Sequence, residues 1–342
     1  MLAMVIKRYG AAKDVLHAEH IAKPSAKVDE VLVRLKATSV NPIEYKMRAG
    51  YGRKVFTKKR GFEFPVILGN DVCGVVEAVG KKVLDFQVGD EIFAAPEVNG
   101  QGSYSEYRVI KSIYCVKKPD TLSFVDAASI PYVAMTAWAC LVTRAKLRPG
   151  HCAGKKVLVH GGSGGIGSFA IQLLKAWGAH VTTTCSTKKI ERARALGADC
   201  VIDYQQEDIS HMTSDFDVVL DTVGGANEQK SLHLLKKHSN AHYVSLVIPV
   251  LSAIDNSGLL KGAIGSAITL MRKKRACKKN GIHYHWGMFK SNKDALKAVK
   301  DLLDKHEIKP VVDKTFPLDQ LAEAHNYAES GNVFGKVAIE IH

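Results

Sequence analysis

Over roughly the first 120 residues, apolar and polar positions alternate in short runs broken by Gly, Pro and Asp: MVIKRY, EVLVRLKATSV, VCGVVEAVG, DEIFAA and YSEYRVI. Such runs predict β-strands joined by tight turns. From Gly154 the pattern changes. KKVLVH is a continuous apolar strand. After a glycine turn, Ile166, Phe169, Ala170, Leu173, Leu174 and Trp177 recur at i, i+3, i+4, i+7, i+8 and i+11, one face of a helix that Gly178 stops. AHVTTTC, CVIDY, FDVVLDTV, AHYVSLV and GIHYHWG read as further strands, TKKIERARALG and NKDALKAVKDLLDKHE as helices. That alternation predicts a parallel sheet covered on both faces. Beyond Pro310 strand and turn patterns return, ending GKVAIEI. A β-rich beginning and end around an α/β middle predicts a first domain completed by the tail. The stretch 249–280 breaks the alternation and reads as an inserted lobe, with a small-residue apolar segment, GAIGSAITL, ahead of a basic cluster.

The glycine turn carries the strongest chemical signal. Gly162, Gly164 and Gly167 form G-x-G-x-x-G directly after an apolar strand and directly before an amphipathic helix. In that setting the first glycine serves the tight turn and the second lets backbone approach a pyrophosphate. The third serves close helix–strand packing, and the helix N-terminus offers N–H groups to the anion. A carboxylate about 20 residues on, at the end of the second strand, holds the ribose 2′-hydroxyl in NAD-binding chains. Here that place reads Thr184-Cys185-Ser186-Thr187-Lys188-Lys189. Hydroxyls and ammonium groups in place of a repelling carboxylate favour the 2′-phosphate of NADPH.

Composition adds limits. The chain has 342 residues, 46% of them hydrophobic and 24% charged, ordinary values that exclude disordered and fibrous classes and suggest two domains. The most extended apolar candidate for a membrane helix, 248–271, is interrupted by Pro249, Asp255, Asn256 and Lys261, so no membrane span is expected. The start shows no signal-peptide layout, and the expectation is a soluble, cytoplasmic protein. The net charge of +14 favours anionic partners, a phosphorylated cofactor, nucleic acid or an acidic membrane face. Part of the excess sits at 53–60 (RKVFTKKR) and 272–279 (RKKRACKK). Neither has the aromatic interleaving of a stacking platform, which argues against nucleic acid. Seven cysteines with no C-x-x-C fit neither a disulfide scaffold nor a zinc knuckle.

On S-V-N-P-I-E-Y-K-M-R-A-G-Y (39–51), P-V-I-L-G-N-D-V-C-G-V-V-E-A-V-G (65–80), F-Q-V-G-D-E-I-F (86–93), A-S-I-P-Y-V-A-M-T-A-W (128–138), the glycine loop, L-G-A-D-C-V-I-D-Y (196–204) and L-D-T-V-G-G (220–225), the chain is identified as a member of the medium-chain dehydrogenase/reductase superfamily. Within it the chain resembles the zinc-free, NADPH-dependent quinone oxidoreductases. T-A-W, F-A-I-Q-L-L-K-A-W-G-A-H-V-T and H-Y-H-W resemble a mitochondrial, reticulon-interacting subgroup of that branch. The resemblance implies an α/β architecture: a GroES-like β-rich catalytic domain at 1–127 completed by 310–342, and a Rossmann domain at 128–309. It also implies a homodimer.

In the zinc alcohol dehydrogenases of the superfamily a ligand Cys stands where this chain has Asn41, and a ligand His where it has Asn70; the four-cysteine lobe is absent. No metal ligands are therefore expected, since catalytic zinc needs about three protein ligands. Without Lewis-acid help, hydride must go to an acceptor that is already electron-poor, a quinone or an α,β-unsaturated carbonyl, with a hydrogen-bond donor at its oxygen. The catalytic candidates are Asn41, to donate to that oxygen or orient a water, and Tyr51, which related enoyl-thioester reductases suggest as donor of a proton or hydrogen bond. Tyr45 and Lys46 are alternates. Many quinone reductases read N-x-x-D-x-Y, whereas here the tyrosine is displaced by one place, a change that would flip its face on a strand.

The resemblance further implies that Ser163, Gly165 and Ile166 line the pyrophosphate and that Ser186, Lys189 and Tyr204 surround the 2′-phosphate and adenosine. Thr136 would reach the nicotinamide side, and Gly287, Phe289, Asn332, Val333 and Phe334 would face the cofactor. Thr222 and Leu246 end strands at the carboxyl edge where ligands collect. His283 and His285, two apart on a strand, read as core or pocket-rim histidines. Two other readings stay open: an enoyl-thioester reductase, and an NADPH-binding regulatory or RNA-binding protein motivated by the basic clusters.

Overall fold

The computed structural model describes residues 1–58, 62–98 and 101–342. Lys59 and Arg60 of the first basic cluster lie outside the described residues. The chain divides into two compact units: Met1–Met135 with Lys290–His306 and Pro310–His342, and Thr136–Phe289 with Glu307–Lys309.

The first unit is built on antiparallel strands. The long strand Glu30–Val40 pairs on one side with Lys336–Glu340, the last strand of the chain, and on the other with Val72–Val79. The tail thus joins the sheet built on Glu30–Val40. Alternation along Glu30–Val40 buries Val31, Val33, Leu35 and Val40 in one core with Val72, Val76, Ile92, Val337 and Ile339. A smaller sheet pairs Leu2–Ile6 with Leu16–His20 and Val66–Ile67.

The unit boundaries differ from those expected. Residues 128–135 and Lys290–His306 group with the first unit. The reasons are polar: Asp71 Oδ1 accepts from Tyr132 N at 2.7 Å, Glu97 accepts from Ser291 N at 3.0 Å, and Lys293 pairs with Asp85 at the start of helix Lys293–Asp304.

The second unit holds six parallel strands in the order Cys200–Asp203, His180–Cys185, Lys156–His160, Val218–Asp221, Ala241–Ser245 and Ile282–Trp286. Numbered along the chain this is 3-2-1-4-5-6, the doubly wound arrangement whose order reverses beside the first strand. Val157, Leu158, Val159, Val218, Val219 and Leu220 are at most 1% exposed, as expected where helices cover both faces. The supposed inserted lobe is a helical crossover. Helices Val250–Ser257 and Leu259–Lys278 carry the chain from the fifth strand to the sixth, which lie parallel and side by side. The alternation was present but hidden, because the longer helix turns little more than Leu270 and Cys277 to the core of the sheet.

The most apolar helical run is Phe124–Arg144, not 248–271. It is long and apolar enough to cross a membrane by length and composition, with mean hydropathy 1.4, and 67% of that window is buried within the fold. Burial makes core packing its physical role here.

Candidate functional site

The loop between strand Lys156–His160 and helix Gly165–Ala176 sits where the strand order reverses. Its glycines divide their work differently from the motif's reading. The left-handed turn falls on Gly161 (φ 71°), one residue before the motif. Gly162 is required by contact: a Cβ there would lie 2.0 Å from Thr183 Oγ1. At Gly167 a Cβ would lie 2.2 Å from Gly161 O and 2.7 Å from Gly162 Cα, so the helix can press against the loop only without a side chain. Gly164 differs, for its Cβ would meet only Gly161 O, at 3.5 Å. The fold leaves room there, as a backbone cradle for a pyrophosphate would. Helix geometry leaves the first N–H groups after Gly164 without intrahelical acceptors, and no acidic residue stands in the first turn.

Thr184 braces the loop. Its carbonyl accepts from Gly162 N at 3.0 Å, and its hydroxyl from Gly161 N at 3.2 Å. The buried His160 ring lies between Thr184 Oγ1 (3.2 Å) and Ser231 Oγ (2.7 Å), and burial lowers its pKa. Neither residue was among the sequence candidates; the signal, a polar pair inside two apolar strands, was visible but had no stated partner.

Ser186 and Lys189 follow the second strand, half-buried, with Lys188 exposed between them. Tyr204, 61% exposed, donates its amide to Cys185 O at 3.2 Å and so lies at the same edge. A carboxylate missed in the sequence reading stands there too. Asp203, paired in register with Cys185, is 5% exposed and accepts from the Thr187 hydroxyl and from Gln205 N (3.0 Å). It is turned into the protein. Thr222 Oγ1 donates to His160 O at 2.7 Å, and Asp221 Oδ1 closes the following turn through Val223 N and Gly224 N. Leu246 follows strand Ala241–Ser245, half-buried. Gly287 is constrained by packing, since a Cβ would lie 2.4 Å from Cys140 Sγ. Thr136 is buried and Phe289 half-buried, both in this unit. His283 and His285 share one face with His242, their rings stacked, and burial holds His242 and His285 down at about 4. His283 itself is exposed rather than in the core.

In the first unit Asn332 is exposed, Val333 half-buried and Phe334 2% exposed, so the Phe334 ring is a packed side chain. Of the catalytic candidates, Asn41 is the N-cap of helix Pro42–Arg48 and 1% exposed. Its backbone N–H donates to Glu44 Oε2 at 2.6 Å, the reciprocal half of a capping box. Both hydrogens of its amide are taken by carboxylates, Glu44 Oε1 at 3.0 Å and Asp71 Oδ2 at 2.9 Å, while its oxygen accepts from the Lys336 ammonium. With both amide hydrogens engaged, Asn41 has no N–H left for the expected donation to an acceptor oxygen.

Tyr45 and Lys46 lie on this helix, so the feared strand flip does not arise. A one-residue displacement rotates a helical side chain by about 100°. Tyr45 packs against the apolar core, and Lys46 is exposed. Tyr51 lines a cleft with Tyr9, Arg53, Phe56, Phe62 and Phe64. The structure does not gather the four candidates around one point.

It gathers others instead. Glu44 accepts from Asn70 N (2.8 Å), Asn70 Nδ2 (2.9 Å) and the Tyr104 hydroxyl (2.6 Å) in addition to Asn41. Burial pushes its carboxyl up, against the pull of Lys336 and these donors. His325 Nε2 lies 3.2 Å from the Tyr104 hydroxyl, and its Nδ1 3.4 Å from Arg48 Nη1. Arg48 supplies the proton on that contact, so His325 Nε2 carries the hydrogen and donates to Tyr104. Asp71 also accepts from Ser39, and Lys336 Nζ is 3.6 Å from Asp71 Oδ2 and 3.1 Å from Val40 O. Burial lowers the Lys336 pKa; Asp71 and Glu44 oppose it. Glu44 and Asn70 line a second cleft with Gly69, Gln101 and Arg108. A lysine inside the apolar run GKVAIEI was the available sequence signal for this cluster.

A β-rich unit closed by the chain's tail, with a doubly wound dinucleotide-type sheet between, defines the medium-chain dehydrogenase/reductase architecture. Residues 27–120 match the alcohol dehydrogenase GroES-like domain and residues 196–339 the family described as zinc-binding dehydrogenase. The chain is 39% identical to the mitochondrial NAD(P)H oxidoreductase RTN4IP1 of Mus musculus, over 100% of this chain and 89% of that protein. It is 33% identical to the chloroplastic NADPH-dependent alkenal/one oxidoreductase of Arabidopsis thaliana, over 99% and 79%. The quinone oxidoreductase structure from Coxiella burnetii superposes with a TM-score of 0.84 at 28% identity, covering 100% of this chain and 99% of that one. The chain belongs to the medium-chain dehydrogenase/reductase superfamily of oxidoreductases. One expectation falls. A cytoplasmic location conflicts with the relatives, because the full-length match is to a mitochondrial protein.

Proposed function

We propose that the protein is an NADPH-dependent reductase that delivers hydride to a quinone or an α,β-unsaturated carbonyl without a metal ion. The carrying observation is Lys336. Its buried ammonium donates to Asn41 and lies beside Asp71, in the polar cluster where zinc relatives have ligands. Asn41 turns its carbonyl oxygen to that ammonium, and the second ligand place, Asn70, is an amide directed at Glu44. Two amides in the ligand places, beside an internal cation that already engages the cluster's carboxylates Asp71 and Glu44, do not fit zinc, which takes thiolate, imidazole and carboxylate and would be repelled by the ammonium. The word zinc in the matching family's description does not extend to these residues.

A reduced nicotinamide, when bound, supplies a hydride equivalent. The chain's own part is holding and polarising. Gly162 to Gly167 present backbone N–H groups to a pyrophosphate, and Ser186 and Lys189 take a 2′-phosphate, with Tyr204 as a flat face for the adenine ring. Asn41 acts by positioning Glu44 and Asp71. Tyr51, in its aromatic cleft, donates a hydrogen bond to the acceptor oxygen as that oxygen gains charge. The relatives support the reading: the Arabidopsis protein is named for alkenals and enones, and the Coxiella structure for quinones.

The test follows loss of NADPH absorbance with a quinone, an enone and a 2-enoyl-thioester, with NADH in parallel, with and without a chelator. Turnover of quinone or enone that is indifferent to chelator and prefers NADPH is expected. Chelator-sensitive oxidation of simple alcohols, or one zinc per chain in purified protein, overturns the proposal.

A further inference from the structure

Helix Leu259–Lys278 is built inside out. Apart from Leu270, which packs against the core, its inward positions are small or polar: Gly262, Ser266 and Cys277 are buried, and a Cβ on Gly262 would lie 2.5 Å from the Ile254 backbone. The Ser266 hydroxyl is buried without a hydrogen-bond partner. Most of its large apolar side chains point the other way. Leu260 is 73% exposed, Ile264 51%, Ile268 43% and Met271 69%, at i, i+4, i+8 and i+11. These four make a stripe about 16 Å long at 1.5 Å per residue. Where the stripe ends the cations begin: Arg272, Lys274, Arg275, Lys278 and Lys279 are exposed, and Lys273 pairs with Glu228 at 2.6 Å.

From this juxtaposition we propose that Leu259–Lys278 is a surface-docking helix for an anionic lipid bilayer. The apolar stripe enters the headgroup boundary, and the cluster at 272–279 binds lipid phosphates. An amphipathic helix with that division of residues lies in the interface plane, and its binding sums buried apolar area and attraction to anionic headgroups. A second copy is a poorer occupant. A two-fold contact sets the same patch against itself, so it offers the five exposed cations at the end of the stripe no anionic partner, in a chain already at +14. An acceptor carried in a membrane, as hydrophobic quinones are, would then be met at its own surface; the docking proposal stands whether or not that acceptor is the substrate.

The experiment is co-sedimentation of the full chain with vesicles of phosphatidylcholine alone or with one-third phosphatidylglycerol, at low and high salt. Three proteins are compared: wild type, Leu260→Ser/Ile264→Ser/Ile268→Ser, and Lys274→Glu/Arg275→Glu/Lys278→Glu. All six changes are at exposed positions, and NADPH binding in solution reports that each variant is folded. Wild type should sediment with the anionic vesicles, stay behind with neutral ones and be released by salt. The charge variant should lose on the order of 100-fold in partitioning, at about fivefold per charge, and the serine variant at least about tenfold. Because the charge variant leaves the apolar stripe intact, it decides the question even if the serine variant does not fold. Equal sedimentation of all three proteins overturns the proposal. So does a fall in molecular mass of the serine variant in solution, which would assign the stripe to a second copy. Competition by RNA that spares the serine variant would assign the cluster to nucleic acid and overturn it too.

Discussion

Gly164 and Gly167 lie three residues apart in one motif, the first at the helix N-cap and the second in its first turn, yet the structure predicts opposite consequences for the same substitution. At Gly167 an added Cβ meets backbone, 2.2 Å from Gly161 O and 2.7 Å from Gly162 Cα. Backbone cannot rotate aside, so Gly167→Ala must push the helix from the loop, an overpacking cost of about 1–3 kcal/mol. For a unit of this size that lowers Tm by roughly 2–4 °C per kcal/mol. At Gly164 the Cβ meets only Gly161 O at an ordinary 3.5 Å, with φ at −80°. Gly164→Ala therefore keeps or raises stability, by about 0.4–1 kcal/mol through the unfolded chain. Its methyl, however, stands in the space where a pyrophosphate approaches the backbone, and NADPH affinity should fall at least tenfold, about 1.4 kcal/mol. Thermal melts of the cofactor-free protein and fluorescence titration with NADPH separate the two. If Gly164→Ala melts as low as Gly167→Ala, or binds NADPH like wild type, the assignment of this loop to the cofactor is wrong.

Three further outcomes are expected. Lys189→Ala should weaken NADPH by roughly 10- to 100-fold, the worth of a charged hydrogen bond, while NADH binding stays nearly unchanged; calorimetry with both nucleotides checks this, and equal losses would refute it. Lys336→Met leaves Asp71 and Glu44 buried without their cation and should cost about 3–5 kcal/mol, partly restored by adding Asp71→Asn; denaturant melts that show no restoration would break the proposed pairing. His325 is held neutral by burial down to about 3, below its ordinary 6.5. The unfolded chain takes up that proton first, so stability is complete above pH 6.5 and is lost as pH falls toward 3, by up to about 1.4 kcal/mol per pH unit from this group. His325→Gln should flatten that slope in acid titrations monitored by circular dichroism.

Asn41 shows where sequence reading stops. Its type and its place in N-P-I-E were legible, and the capping box with Glu44 follows from spacing alone. What its amide touches was not. Asp71 lies 30 residues away, just before another strand, and Lys336 295 residues away on the last one, and these contacts turn an expected donor into a brace. Tyr45 is similar: the displaced tyrosine was visible, but whether displacement matters depends on the segment being helix rather than strand.

By itself the sequence determined the β-rich and α/β halves, the return of the tail to the first unit, the glycine loop and the missing carboxylate after the second strand. All of these rest on local periodicity or short motifs, which a chain carries before it folds. Only the tertiary structure decided which buried charges meet, that Asp203 is buried and engaged by Thr187 and Gln205, and that the residues at 249–280 form a crossover whose long helix wears most of its large apolar side chains outward. Those are matters of long-range pairing: register between distant strands sets which side chains share a face, and no periodicity in one segment can report what another segment brings to it.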